Sequence, residues 1–325
     1  MSVKKFLICF FIVSPVFHLF AGNVIIKGHA PQYAGDIFIL HTYTDMISYN
    51  EKELDTSLVD ENGHFSLKID IDSTILAFIP FEVNIGFIFL EPEKIYEIVL
   101  PEKQELRMEE KMNPFFEKSE FYIGIKDAPA TELNNLIRKF TALYNEHVEK
   151  YFYNMVVYAA NSGIDTLISY IDSIVPYDQN DFFNDYKKFK YGTLYHLTTK
   201  RDFRYITREY FLNEKILYNN PAYMDLFNQA YDNFLTYYST TRDGERIYVD
   251  ITKAKSYQRS MESLDNNIAL EGDTVFQELV LLKGLHDGYY TGNYPVSSIL
   301  QTLDSLKIQS KYEVHKFIAE KIKKK

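Results

Sequence analysis

The side chains able to do chemistry are numerous in this chain but scattered. From residue 22 onward the histidines are His29, His41, His64, His147, His196, His286 and His315. None stands at metal-ligand spacing from another, and no His-Glu-x-x-His places two on one helix face. They read as surface or cap residues, and no metal site is expected. No glycine-rich phosphate loop and no Gly-x-Ser-x-Gly nucleophile elbow is present. Acidic residues, 45 against 35 basic, are too common for any pair to be nominated as general acid and base. The lone cysteine, Cys9, sits in an apolar N-terminal stretch, so the chain beyond it has no thiol. That excludes disulfides, thiolate-bound metals and cysteine nucleophiles there. No catalytic residue and no cofactor is assigned.

Two local features carry weight. In Thr241-Arg242-Asp243-Gly244-Glu245-Arg246, the residues Arg242, Asp243 and Arg246 are the binding candidates, since paired guanidinium groups grip carboxylates or amides. The plainer reading is a solvated turn between helices. In Lys283 to Tyr290, Gly284 and Gly288 interrupt an otherwise helical run, each costing about 1 kcal/mol relative to alanine. Glycines so placed mark the close approach of another helix, in preference to a ligand groove.

Met1 to Lys5 is basic, Phe6 to Phe20 mostly apolar, and Ala21-Gly22 small, the pattern of a cleavable signal peptide over 1–22. Pro15 and His18 break the apolar run, which falls short of the roughly 20 residues of a membrane span. The expectation is a periplasmic or secreted protein without a stable membrane span after leader cleavage. Cys9 lies too early to carry a lipid anchor. Losing Lys4 and Lys5 makes the formal charge of −10 two units more negative. Such a chain repels nucleic acid phosphates, and the basic Lys321–Lys325 tail reads as a helix end at the dipole's negative pole. The 27 Tyr and 25 Phe, with no Trp, suit a packed interior whose hydroxyls reach water, and their spread argues against one stacking platform.

These residues need elements to position them, and two periodicities divide the chain. His64 to Ile71 alternates polar and apolar after the hairpin signal Asn62-Gly63. Similar runs at Val24–Gly28, Asp36–Tyr43, Lys52–Val59, Ile75–Ile79, Val83–Leu90 and Ile95–Leu100 make about seven strands. From Leu133, apolar residues recur at three- and four-residue steps, with Thr131 as N-cap. Further helices are expected over Ile164–Val175, Asp181–Leu212, Pro221 to near Thr240 with Asn220 as cap, from Asp273, from Pro295 and over Tyr312–Lys323. The fold class is therefore α+β and multidomain. A small antiparallel β-sandwich over 23–113 precedes an irregular α-helical bundle over 114–325, with separate cores joined between Pro101 and Pro114.

That order of parts resembles the N-terminal portion of bacterial envelope thiol-disulfide oxidoreductases of the thioredoxin-like family. The segments that carry it are Asn62-Gly63-His64-Phe65, Leu90-Glu91-Pro92-Glu93-Lys94-Ile95-Tyr96, Asn220 to Met224, Glu278 to Leu285 and His315 to Ala319. In the second, Glu93 replaces a glycine of the family pattern and one extra residue precedes Tyr96. The resemblance implies a β domain and helical region that elsewhere precede a thioredoxin-like module. No Cys-x-x-Cys exists here, so no catalytic residue of the family carries over. The leading expectation is an exported, non-enzymatic binding or scaffolding protein whose partner is an unknown envelope protein or peptide. The alternatives are an enzyme using an Asp/Glu pair of the helical half, and a truncated fragment of such an oxidoreductase.

Overall fold

His64–Ile71 forms a strand whose residues alternate exposed and buried along its whole length. The computed structural model describes residues 22–158, 162–177, 179–198 and 202–324. The expected leader over 1–22 lies outside them as far as Ala21, Cys9 included, and its last residue, Gly22, is described. Among the described residues no helix is long and apolar enough to cross a membrane.

Strands β1 (Gly22–His29), β2 (Ile37–Tyr43), β3 (Glu51–Leu58), β4 (His64–Ile71), β5 (Ile75–Pro80), β6 (Asn84–Leu90) and β7 (Ile95–Val99) lie close to their expected places. Two more follow: β8 (Ser119–Tyr122) and β9 (Gly124–Ile125). The order is β4-β1-β7-β9 in one sheet and β3-β2-β5-β6-β8 in the other. The expected all-antiparallel sandwich is corrected: β1 runs parallel to β7, and β6 parallel to β8. Alternation along a strand reports which face is buried and carries no information on the direction of its neighbour. Strands of the other sheet supply the long crossovers that parallel pairing needs. The sheets also extend past the expected limit at Asn113, because β8 and β9 pass from one sheet to the other through buried Ile123. At the opposite side β3 and β4 are the outer strands. There Asp55 Oδ2 accepts the Lys68 amide at 2.7 Å and Ser57 Oγ the Ser66 amide at 3.1 Å. These bonds occupy amide groups that an open sheet edge would offer to another chain.

The helices are α1 (Met108–Lys111), α2 (Leu133–Tyr158), α3 (Ser162–Ile174), α4 (Asp181–Thr198), α5 (Phe203–Ile206), α6 (Pro221–Ala230), α7 (Phe234–Tyr238), α8 (Ile247–Val249), α9 (Tyr257–Asp265), α10 (Thr274–Thr291), α11 (Val296–Gln309) and α12 (Glu313–Lys324). Asn220 Oδ1 accepts the amides of Ala222 and Tyr223, and Asp273 that of Phe276, as the caps require. Three expectations are corrected. Glu132 rather than Thr131 receives an amide of α2, that of Asn135. The single helix expected over Asp181–Leu212 is divided into α4, α5 and a π turn at Thr207–Phe211. The helix begun at Pro221 ends at Ala230, where Asn233 takes a left-handed conformation (φ 51°) before α7.

One buried cluster fills the sandwich and a larger one runs through the helices, taking Met46, Ile47 and Phe89 from the sheet side. Every residue from Phe276 to Leu285 is buried, so α10 is the central helix. Gly284 is needed there: a Cβ would lie 2.2 Å from Leu235 Cγ on α7. At Gly288 it would lie 2.7 Å from the Tyr294 ring. The first glycine marks helix–helix contact as expected, whereas the second faces the loop after α10. Gly284→Ala is therefore expected to destabilise by about 1–3 kcal/mol from overpacking, less about 1 kcal/mol of helix propensity regained. Adding Leu235→Ala should recover part of that loss in urea unfolding; a double variant no more stable than the sum of the two single losses would sink this account.

Candidate functional site

A glutamate in the middle of α10 has no route to water, because its helix is buried on every side from Phe276 to Leu285. Glu278 is 0% exposed, and so is His315 on α12. Such a group must be supplied with partners. Glu278 Oε1 accepts from His315 Nδ1 at 2.9 Å and from Ser310 Oγ at 2.5 Å, while Oε2 accepts from the Tyr257 hydroxyl at 2.5 Å. On its other side His315 Nε2 pairs with the Tyr218 hydroxyl at 2.7 Å. Ser310 also accepts the Tyr312 amide at 3.0 Å, so one hydroxyl both starts α12 and ties it to α10. Burial pushes the Glu278 carboxyl up, but the hydrogen bonds from His315, Ser310 and Tyr257 outweigh it and hold the group below its ordinary value. Burial, with the Glu278 charge second, pushes the Tyr218 phenol well above its usual range.

This Tyr–His–Glu chain has the connectivity of a proton relay, yet its carboxylate and imidazole are sealed and its phenol is kept neutral. Its chemistry is to lock α9, α10, α12 and the loop before α6 together. The relay also backs a groove. Tyr218 lines a cavity of about 470 Å³ where the end of β2 and its following loop face α12. Met46, Met224 and Ile318 contribute apolar lining, Val314 and Phe317 lie on the α12 side, and Thr42 and Tyr43 come from β2. Val314 is 46% and Phe317 45% exposed, so large apolar area stands open to solvent beside the cavity. Lys316, one turn away, is paired with Glu313 at 2.6 Å.

The residues singled out from sequence lie elsewhere. Arg242, Asp243 and Arg246 are all exposed, and among the described residues no ion pair joins them. The loop they occupy is set by packing: a Cβ on Gly244 would lie 2.2 Å from the Tyr238 carbonyl oxygen. The Tyr238 hydroxyl in turn donates to the carbonyls of Asp243 and Ser263. Of the histidines, His315 is a core residue, while His29 and His64 are exposed and face each other across β1 and β4. His41 stacks on Phe78 and His147 packs on Tyr170.

A second, polar cavity of about 420 Å³ is lined by His196, Asp225, Asn228, Asp232 and Lys283. Lys190 pairs with Asp225 at 3.3 Å. Asp185, whose carboxyl burial raises above its ordinary value, does not line it. Sequence reasoning missed Glu278; the available signal was a carboxylate set among Phe276, Leu279, Val280, Leu281 and Leu282. Its partners were not legible, since Tyr257, Ser310 with His315, and Tyr218 come from three other segments of the chain. Compared with protein-family models, with curated proteins and with solved structures, the chain matches none.

Proposed function

We propose that this chain is an exported, non-catalytic binding protein of the cell envelope, and that the groove beside α12 holds a short apolar segment of a partner. The observation that carries this reading is the half-uncovered pair Val314 and Phe317 beside a cavity partly lined by methionines. Methionine adapts its shape to varied apolar guests, and a space of this size suits one or two side chains. The segment resemblance to the N-terminal part of thiol-disulfide oxidoreductases supports an envelope role. With no cysteine beyond Cys9, any part in thiol chemistry is indirect, through a partner that carries the thiols.

The test is Nile red fluorescence, followed by its displacement with short peptides bearing Phe and Leu. Val314→Asp with Phe317→Asp is expected to weaken dye and peptide binding about tenfold or more, with helix content unchanged by circular dichroism. Binding equal to that of the parent would overturn the assignment.

One observation favours an acid–base enzyme as the second reading, namely that Asp225 and Asp232 share the polar cavity with His196 and Lys283. Under that reading the Phe317 variant keeps its activity and Asp232→Asn loses it.

A further inference from the structure

We propose that His29 and His64 form a two-histidine chelate on the outer face of the sandwich for a divalent late first-row transition ion, Cu²⁺ most tightly. The two residues are direct register partners on antiparallel β1 and β4. The His64 amide donates to Asp60 Oδ1 at 2.8 Å and its carbonyl accepts the Asp60 amide at 2.9 Å. Neither group is therefore spent on His29, and Ala30 bonds instead to the Gly63 carbonyl at 2.7 Å. His29 and His64 are thus a non-hydrogen-bonded pair, the kind in which facing side chains come closest.

Their ring centroids lie 4.8 Å apart with planes tilted by 42°. An imidazole nitrogen about 2.0–2.1 Å from an ion puts its ring centroid about 3.2 Å from that ion. Two rings meeting at an angle of about 95–110° would then have centroids roughly 4.7–5.2 Å apart, so the observed separation leaves room for both rings to face one ion. Both rings are exposed, and neither makes a hydrogen bond or ion pair among the described residues.

The scaffold beneath them is stiff. Asp60 Oδ1 accepts the amides of Asn62 and His64. Gly63, at φ +83°, leaves no room for a Cβ against the Pro31 backbone at 2.5 Å. The backbone that carries the two imidazoles is therefore fixed before an ion arrives, and only their side-chain torsions remain to adjust. Among the described residues no three His, Cys, Asp or Glu converge on a metal site. Water would complete the coordination, and imidazole-only ligation follows the order of affinities that peaks at Cu²⁺.

The test is Cu²⁺ titration of the purified protein by calorimetry, with electron paramagnetic resonance of the loaded sample. Expected are coordination by two imidazole nitrogens and a rise in the thermal midpoint on adding Cu²⁺. His29→Ala and His64→Ala should each weaken binding about tenfold or more and abolish the midpoint shift, while His147→Ala changes neither. Both positions are exposed on strands, so the variants should fold; a circular dichroism spectrum matching the parent establishes it. If the double variant binds Cu²⁺ as tightly as the parent, or the resonance shows no pair of imidazole nitrogens, the proposal is overturned.

Discussion

Glu278→Ala is expected to lower unfolding free energy by about 3–5 kcal/mol, since it breaks a buried, hydrogen-bonded network around a carboxylate and leaves its donors unpaired. The change strands His315 Nδ1 and the hydroxyls of Ser310 and Tyr257 in an interior where Glu278 and His315 are both 0% exposed. Because the Glu278 carboxyl is held below its ordinary value of 4.5, protonation favours the unfolded chain. Its contribution is complete above that ordinary value and is lost as pH falls through the lower, folded value. Urea unfolding at neutral and at acid pH should therefore show the parent losing stability on acidification more steeply than Glu278→Gln. Glu278→Leu with His315→Leu should cost less than Glu278→Ala, since apolar replacements of both leave neither of the two orphaned. A loss below about 1 kcal/mol for Glu278→Ala would mean that the network does not hold α10 and α12 together.

Asn134→Ala is expected to cost about 2–4 kcal/mol through two orphaned backbone groups on β6. β8 pairs with β6 only from Asn84 to Phe87, and Phe89 continues beyond it. There the Asn134 amide replaces the missing strand. Its Oδ1 accepts the Phe89 amide at 2.7 Å and its Nδ2 donates to the Phe89 carbonyl at 2.9 Å. Asn134 is 5% exposed, so water cannot take over either bond freely. The residue is also where α2 attaches to the sandwich, and Phe89 belongs to the cluster of the helices. Hydrogen exchange gives the local readout: the Phe89 amide should be protected in the parent and exchange faster in Asn134→Ala. Unchanged protection would show that the backbone finds another partner. Asn134→Asp should also destabilise, because it keeps an acceptor for the amide and turns a second one toward the carbonyl.

The α+β class, the seven strands to Val99 and the Asn220 and Asp273 caps were legible because each depends on neighbours along the chain. Alternation in His64 to Ile71, the Asn62-Gly63 turn and the Asn220-Pro221 start are local preferences that the fold then obeys. What eluded local reading is equally particular. β8 and β9 are too short to have a period, and parallel pairing of β1 with β7 leaves no mark on either strand. The division of Asp181–Leu212 follows from aromatic packing of Phe211 against Phe189, Tyr223 and Phe276. The Arg242–Arg246 loop drew notice for its charges, whereas its shape answers to Gly244 against Tyr238.

By itself the sequence determined the two periodicities, the helix caps at Asn220 and Asp273, and the absence of thiols beyond Cys9. Tertiary structure alone decided that His315, Ser310, Tyr257 and Tyr218 meet around Glu278, that Val314 and Phe317 border a groove against β2, and that His29 faces His64. The reason is physical: capping, alternation and turn formation act over a few residues, whereas these contacts join segments far apart in the chain. Their cost in chain entropy is recovered only when the whole core closes.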